Sequence, residues 1–155
     1  MKIVSYLLSI FCFCLFITAC GAKKEASASS GKLTAALLNG EWNVVKIGKE
    51  SVNPGERTPF MGFSSEEKRM FGFTGCNRMF GQFNAEDLSK GTIDFGAIGC
   101  TRMACLDDSY EQPFLNALNE VKTIKAAKNG LVELGDASGK TLIVLKKRVA
   151  SDTDK

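Results

Sequence analysis

The chain has 155 residues, enough for one domain and a tail. Hydrophobic residues make up 45% and charged residues 24%, which supports an ordinary core and argues against wholesale disorder. The formal net charge of +3 is too small to suggest a nucleic-acid partner, and the absence of histidine excludes Ser-His-Asp and Cys-His catalysis and His-ligated zinc.

Met1 and Lys2 make a short positive start, residues 3–16 are almost entirely apolar, and Ile17-Thr18-Ala19-Cys20-Gly21 follows. An apolar run this short is an export signal rather than a spanning helix. An aliphatic residue and two small residues before Cys20 resemble a bacterial lipobox. That resemblance implies a lipoprotein signal peptide over 1–19, cleavage before Cys20, and a diacylglyceryl thioether on its sulfur. Cys12 and Cys14 would leave with the signal. One acyl chain anchors only marginally, whereas two or more hold stably. Residues 20–36 are then the lipidated N-terminus and a tether. Its stretch 21–32 is small and polar and cannot bury enough surface to order itself. The expected location is the bacterial cell envelope, attached to a membrane without crossing it, with the outer membrane favoured over the inner.

The folded domain is expected over 37–148, with a polar tail at 149–155. Trp42 and Val44 alternate with Val45 and Ile47, which predicts a first strand over 41–47. Residues 48–59 hold two prolines and two glycines and read as a loop. A short second strand follows at 60–63. The stretch Arg69 to Phe83, R-M-F-G-F-T-G-C-N-R-M-F-G-Q-F, reads as strand, tight connection, strand. Its phenylalanines are expected to fill a core, and Asn77 to make the turn. Residues 92–96 predict a fifth strand with Ile93 and Phe95 inward.

Phe114, Ala117, Leu118 and Val121 fall at i, i+3, i+4 and i+7, one face of a helix over about 109–121. Ser109 is the consistent N-cap, Glu111 adds favourable charge, and Pro113 fits the first turn. Further strands are expected at 122–127, 131–134 and 141–145, with Asn129-Gly130 as a hairpin turn. The last run is apolar on both faces and should lie centrally. The fold class expected is β-rich α+β: a curved or barrel-like antiparallel sheet of about eight short strands with one helix.

The domain holds three thiols, Cys76, Cys100 and Cys105. An exported protein meets an oxidising compartment, so one disulfide with one cysteine over is the default. Spacing does not decide between Cys100 and Cys105 as partner of Cys76. Cys100 and Cys105 are not spaced as a zinc knuckle pair, so no metal or cofactor is assigned.

The pieces L-N-G-E-W at 38–42, G-F-T-G-C-N-R-M-F-G at 72–81, T-R-M-A-C at 101–105 and E-x-x-F-x-x-x-L at 111–118 resemble, in order and spacing, the META domain, also called the HslJ-like family. The resemblance covers roughly 37–147. It implies a small bacterial envelope protein linked to stress or heat-shock responses, a β-rich domain with one helix, and a Cys76–Cys105 pair. Asn77, Arg78, Thr101 and Arg102 lie beside those cysteines and are the candidate binding surface. Arginine suits bidentate recognition of an anion or carboxylate. The competing reading pairs each arginine with a structural carboxylate such as Asp94, Asp107 or Glu111, while Asn77 and Thr101 tie down loop backbone.

The functional expectation is a non-enzymatic lipoprotein that works by binding or envelope maintenance under stress. Its partners would be the membrane, through the lipid, and an envelope protein or small ligand; no nucleic acid is expected. One alternative is a structural or inhibitory module that plugs a partner envelope protein. A further alternative is a hydrolase using two carboxylates among Asp94, Asp107, Asp108 and Glu111.

Overall fold

A computed structural model describes residues 32–105 and 110–149. Cys20, the signal and tether up to residue 31, Ser109, Asp107 and Asp108 therefore lie outside the described residues. After a one-turn helix α1 (Ala35–Leu38), the strands are β1 (Gly40–Ile47), β2 (Glu50–Ser51), β3 (Phe60–Ser64), β4 (Arg69–Phe73), β5 (Arg78–Gln82) and β6 (Gly99–Cys100). Helix α2 (Glu111–Glu120) precedes β7 (Thr123–Ala126), β8 (Leu131–Gly135) and β9 (Thr141–Lys147). The pairing order is β6-β5-β4-β3-β1-β9-β8-β7, with β2 folded back on β1, and every pairing is antiparallel. The result is a β-rich α+β fold with a curled, unclosed sheet of nine strands.

Curling brings one face inward, and α2 buries Phe114 and Leu118 against β9 and β1. Pro113 is the third helical residue, where its missing N–H has no intrahelical partner to lose. The residue at the cap is Tyr110, whose side chain makes no capping bond. β9, apolar on both faces, lies between β1 and β8, away from either edge. Asn129 (φ 61°) and Gly130 (φ 71°) make the turn into β8, both in the left-handed region that Asn and Gly tolerate.

Three local expectations change. Residues 92–96 do not form a strand. Thr92 makes one isolated bridge to Thr123, and Gly96 (φ 57°) then turns the chain. Ile93 and Phe95 are still buried, because this segment crosses the inner side of the curled sheet and its carbonyls approach Gly81. The hairpin's phenylalanines also divide differently from the expected core: Phe83 is buried against Phe63, but the other three are not in the inner row. Met70, Gly72 and Met79 point inward, whereas Phe71, Phe73 and Arg78 share the outer face with Phe80, which is 59% exposed. Gly72 fixes that choice. A Cβ there would sit 2.6 Å from Met79 Cε and closer still to the Phe60 carbonyl oxygen, so only glycine fits the inner row. The third change is the addition of β2 and β6, two-residue strands too short to show a period.

Candidate functional site

The connection between β4 and β5 is built by its own side chains. Thr74 N–H donates to the Asn77 carbonyl at 2.8 Å, the Thr74 hydroxyl donates to the same carbonyl at 3.0 Å, and Gly75 takes φ 102°. This tight turn buries Thr74 (0% exposed) and Asn77 (3%), the two buried polar side chains among the described residues. Buried polar groups need partners, and both find the same one: Glu111 in the first turn of α2.

The Asn77 side-chain amide donates to Glu111 Oε1 at 3.0 Å and Oε2 at 3.1 Å, and its backbone N–H reaches Oε2 at 3.1 Å. The Thr74 hydroxyl also meets Oε2. Burial alone would raise the Glu111 carboxyl. The bonds from Thr74 and Asn77 outweigh it and hold the group below the ordinary glutamate range. No cation pairs with Glu111 among the described residues. The carboxylate is held by neutral donors at a helix N-terminus, where negative charge is favoured.

Asn77 also works in the opposite direction. Its Oδ1 accepts from the Thr101 hydroxyl and from Met103 N–H, both at 2.8 Å. Thr101 Oγ1 in turn accepts from Arg78 N–H at 3.1 Å, and Thr101 N–H donates to the Arg78 carbonyl at 3.0 Å. One amide therefore ties the β4–β5 turn to α2 on one side and to the 101–105 segment on the other. A disulfide between Cys76 and Cys105 (Cα–Cα 6.1 Å) joins the same two segments covalently, and Cys100 is free. The Cys100 side chain faces inward opposite Met79, and burial, with the Glu111 charge second, pushes its thiol above the ordinary cysteine range.

The structure thus brings Cys76, Cys105, Asn77 and Thr101 together in a staple. Arg78 and Arg102 flank it, exposed and without an ion pair among the described residues. Two of the carboxylates suggested for them are otherwise engaged: Asp94 pairs with Lys122 at 3.3 Å, and Glu111 belongs to Asn77 and Thr74, while Asp107 lies outside the described residues. Two large apolar side chains accompany the arginines, Phe80 beside Arg78 on the outer face of β5, and Met103 (64% exposed) beside Arg102. The ring of Phe80 lies over Gly99 of β6, the terminal strand of the sheet. No local signal marks Thr74 as a member of the site. Only its position three residues before Asn77 in the turn hints at it.

A strongly curled antiparallel sheet with one packed helix, stapled between a strand connection and an edge segment, defines a β-rich α+β module with an open sheet rather than a closed barrel. The META domain family model matches residues 35–149, and the chain belongs to that family. Among solved structures, it is similar to a Burkholderia xenovorans protein determined by NMR (TM-score 0.56, 25% identity, 74% of this chain and 87% of that one). Another NMR structure gives a TM-score of 0.58 at 19% identity over 79% of this chain and 99% of the other. A crystal structure of a DUF4847-family protein from Bacteroides vulgatus gives 0.50 at 19% identity, over 73% and 96%. The last two likenesses speak for the fold alone. No curated protein matches the sequence.

Proposed function

We propose that this META domain protein is a lipid-anchored lipoprotein of the bacterial envelope that acts by binding, in an envelope-maintenance role under stress. Its binding surface is the sheet edge carrying Arg78, Phe80, Arg102 and Met103. The observation that carries this reading is the contrast within the motif. Asn77 and Thr101 spend their polar groups on internal bonds, while both arginines and two large apolar side chains next to them face solvent. A covalently stapled edge that presents exposed guanidinium groups, without an ion pair among the described residues, beside apolar side chains suits an anionic or carboxylate-bearing partner. Glu111, with its oxygens occupied by four donor contacts, serves as an anchor for the turn rather than as an acid or base. The lipobox at 17–20 supports the anchor, and the tether at 21–32 would keep the domain within a few tens of ångströms of the membrane, about 19 Å r.m.s. for a flexible chain of that length.

The test is in-cell photocrosslinking with a photoreactive side chain at position 80 or 103, and a control at Leu37, another exposed site. A discrete adduct at 80 and 103, absent at 37 and lost with Arg78→Glu plus Arg102→Glu, is expected. Equal labelling at all three positions, or none, would defeat the reading.

A further inference from the structure

The staple has a second property. One oxygen of Glu111 and the sulfurs of Cys76 and Cys105 all lie within 4.8 Å of one another. A single group, the Asn77 amide nitrogen, touches all of them: 3.5 Å to Cys76 Sγ, 3.8 Å to Cys105 Sγ, and 3.0 and 3.1 Å to the two oxygens. The three side chains thus converge on one point, filled by the partly positive hydrogens of an amide, and no ion pair joins Glu111 to a cation among the described residues. Two thiolates and a carboxylate are a recognised donor set for a borderline-soft divalent ion, and they leave a fourth position for water. Opening the sulfur–sulfur bond must also spread the sulfurs to van der Waals separation, roughly the 3.8 Å spacing that two thiolates adopt at about 2.3 Å from a tetrahedral zinc.

We propose that Cys76, Cys105 and Glu111 form a redox-gated cation site: a disulfide when oxidised and, after reduction by a dithiol, ligands to one thiophilic divalent ion such as Zn²⁺. In the first step the sulfur–sulfur bond takes two electrons and two protons from the dithiol, which becomes its own disulfide. In the second step the ion binds both sulfurs and displaces their two protons to solvent. Asn77 gives up part of its contact with Glu111 and keeps its bonds to Thr101 and Met103. The edge segment thus remains joined to the turn in both states, through sulfur in one and through metal in the other.

The test uses the full lipoprotein in detergent, reduced with a phosphine, which takes its oxygen from water, and freed of it by desalting without oxygen before metal is added. Co²⁺ is titrated as the probe and then displaced by Zn²⁺. One equivalent should bind with a thiolate-to-cobalt charge-transfer band. No band should appear in the oxidised protein. Cys100→Ser should leave the titration unchanged, and Glu111→Gln should weaken binding by about tenfold or more. If reduction loosens the fold, Zn²⁺ should restore the native circular dichroism spectrum. A reduced protein that shows no band and no restoration overturns the proposal. So does a band that survives Cys76→Ser plus Cys105→Ser, or one lost with Cys100→Ser and unmoved by Glu111→Gln.

Discussion

Replacing Asn77 with alanine isolates the hub of the site. The change removes two amide bonds to a carboxylate and two acceptor bonds from Oδ1. Bonds to a charged group contribute about 1.5–3 kcal/mol, because the charge left behind is poorly solvated. The Oδ1 bonds add less, since Thr101 and Met103 are exposed and water can replace their partner. Thr74 and the Asn77 backbone N–H still hold Glu111. The expected loss is therefore about 2–4 kcal/mol, or roughly 10–20 °C in Tm for a domain of this size. The assay is urea and thermal unfolding near pH 7 with the disulfide intact, verified by mass, so that loop closure is unchanged. Asn77→Asp separates chemistry from shape. It sets a second carboxylate about 3 Å from Glu111, so at neutral pH it should destabilise more than alanine. Its deficit should shrink on acidification toward about pH 5, as the pair comes to share a proton. A loss of only a few tenths of a kcal/mol for alanine would refute the hub, and an Asn77→Asp deficit that does not move with pH would refute the proximity of the two carboxylates.

Other outcomes follow from the same contacts. Glu111 has its folded-state pKa below its unfolded value, so its stabilisation is complete above the ordinary glutamate value of about 4.3 and is lost as pH falls through the lowered folded value. Wild type should lose more stability than Glu111→Gln across that acid window in pH-dependent urea melts. Cys76→Ser plus Cys105→Ser should cost about 3–4 kcal/mol in chain entropy for a separation of 29 residues, read by denaturant unfolding. Cys100, half-buried with a raised pKa, should alkylate far more slowly than a model thiol at pH 8, followed by mass spectrometry. Gly72→Ala should unfold or severely destabilise the domain, because its Cβ would meet the Phe60 carbonyl, while Gly96→Ala, with nothing within 4 Å, should cost only the strain of its positive φ.

The sequence carried most of the elements whose signal is local. The i, i+3, i+4, i+7 spacing of Phe114, Ala117, Leu118 and Val121 located α2, and Asn129-Gly130 located its turn to within a residue. Alternation found β4 and β5 but could not say which side faces inward, since period two fits both. Phenylalanine outranks methionine and glycine in hydrophobicity, yet the inner row is Met70, Gly72 and Met79. The backbones approach too closely there for larger groups, and Phe71 and Phe80 lie over Gly62 and Gly99 on the outside instead. The site was legible only in part. Residues 76–78 and 101–105 stood out as motifs, but the Thr74–Glu111 and Asn77–Glu111 bonds span 37 and 34 residues, and no local pattern encodes them. Glu111 reads in the sequence as an acid suited to a helix start and as a candidate partner for an arginine or a second carboxylate, whereas in the fold its partners are the neutral donors of Thr74 and Asn77.

The proposed function requires export, acylation and oxidation, and intact mass of protein extracted from the native membrane tests all three together. Spectra taken with and without reductant and alkylation should show a chain beginning at Cys20 with its acyl chains, one disulfide and one alkylatable thiol. A chain that still begins at Met1, with Cys76, Cys100 and Cys105 all alkylated without reductant, would contradict the account.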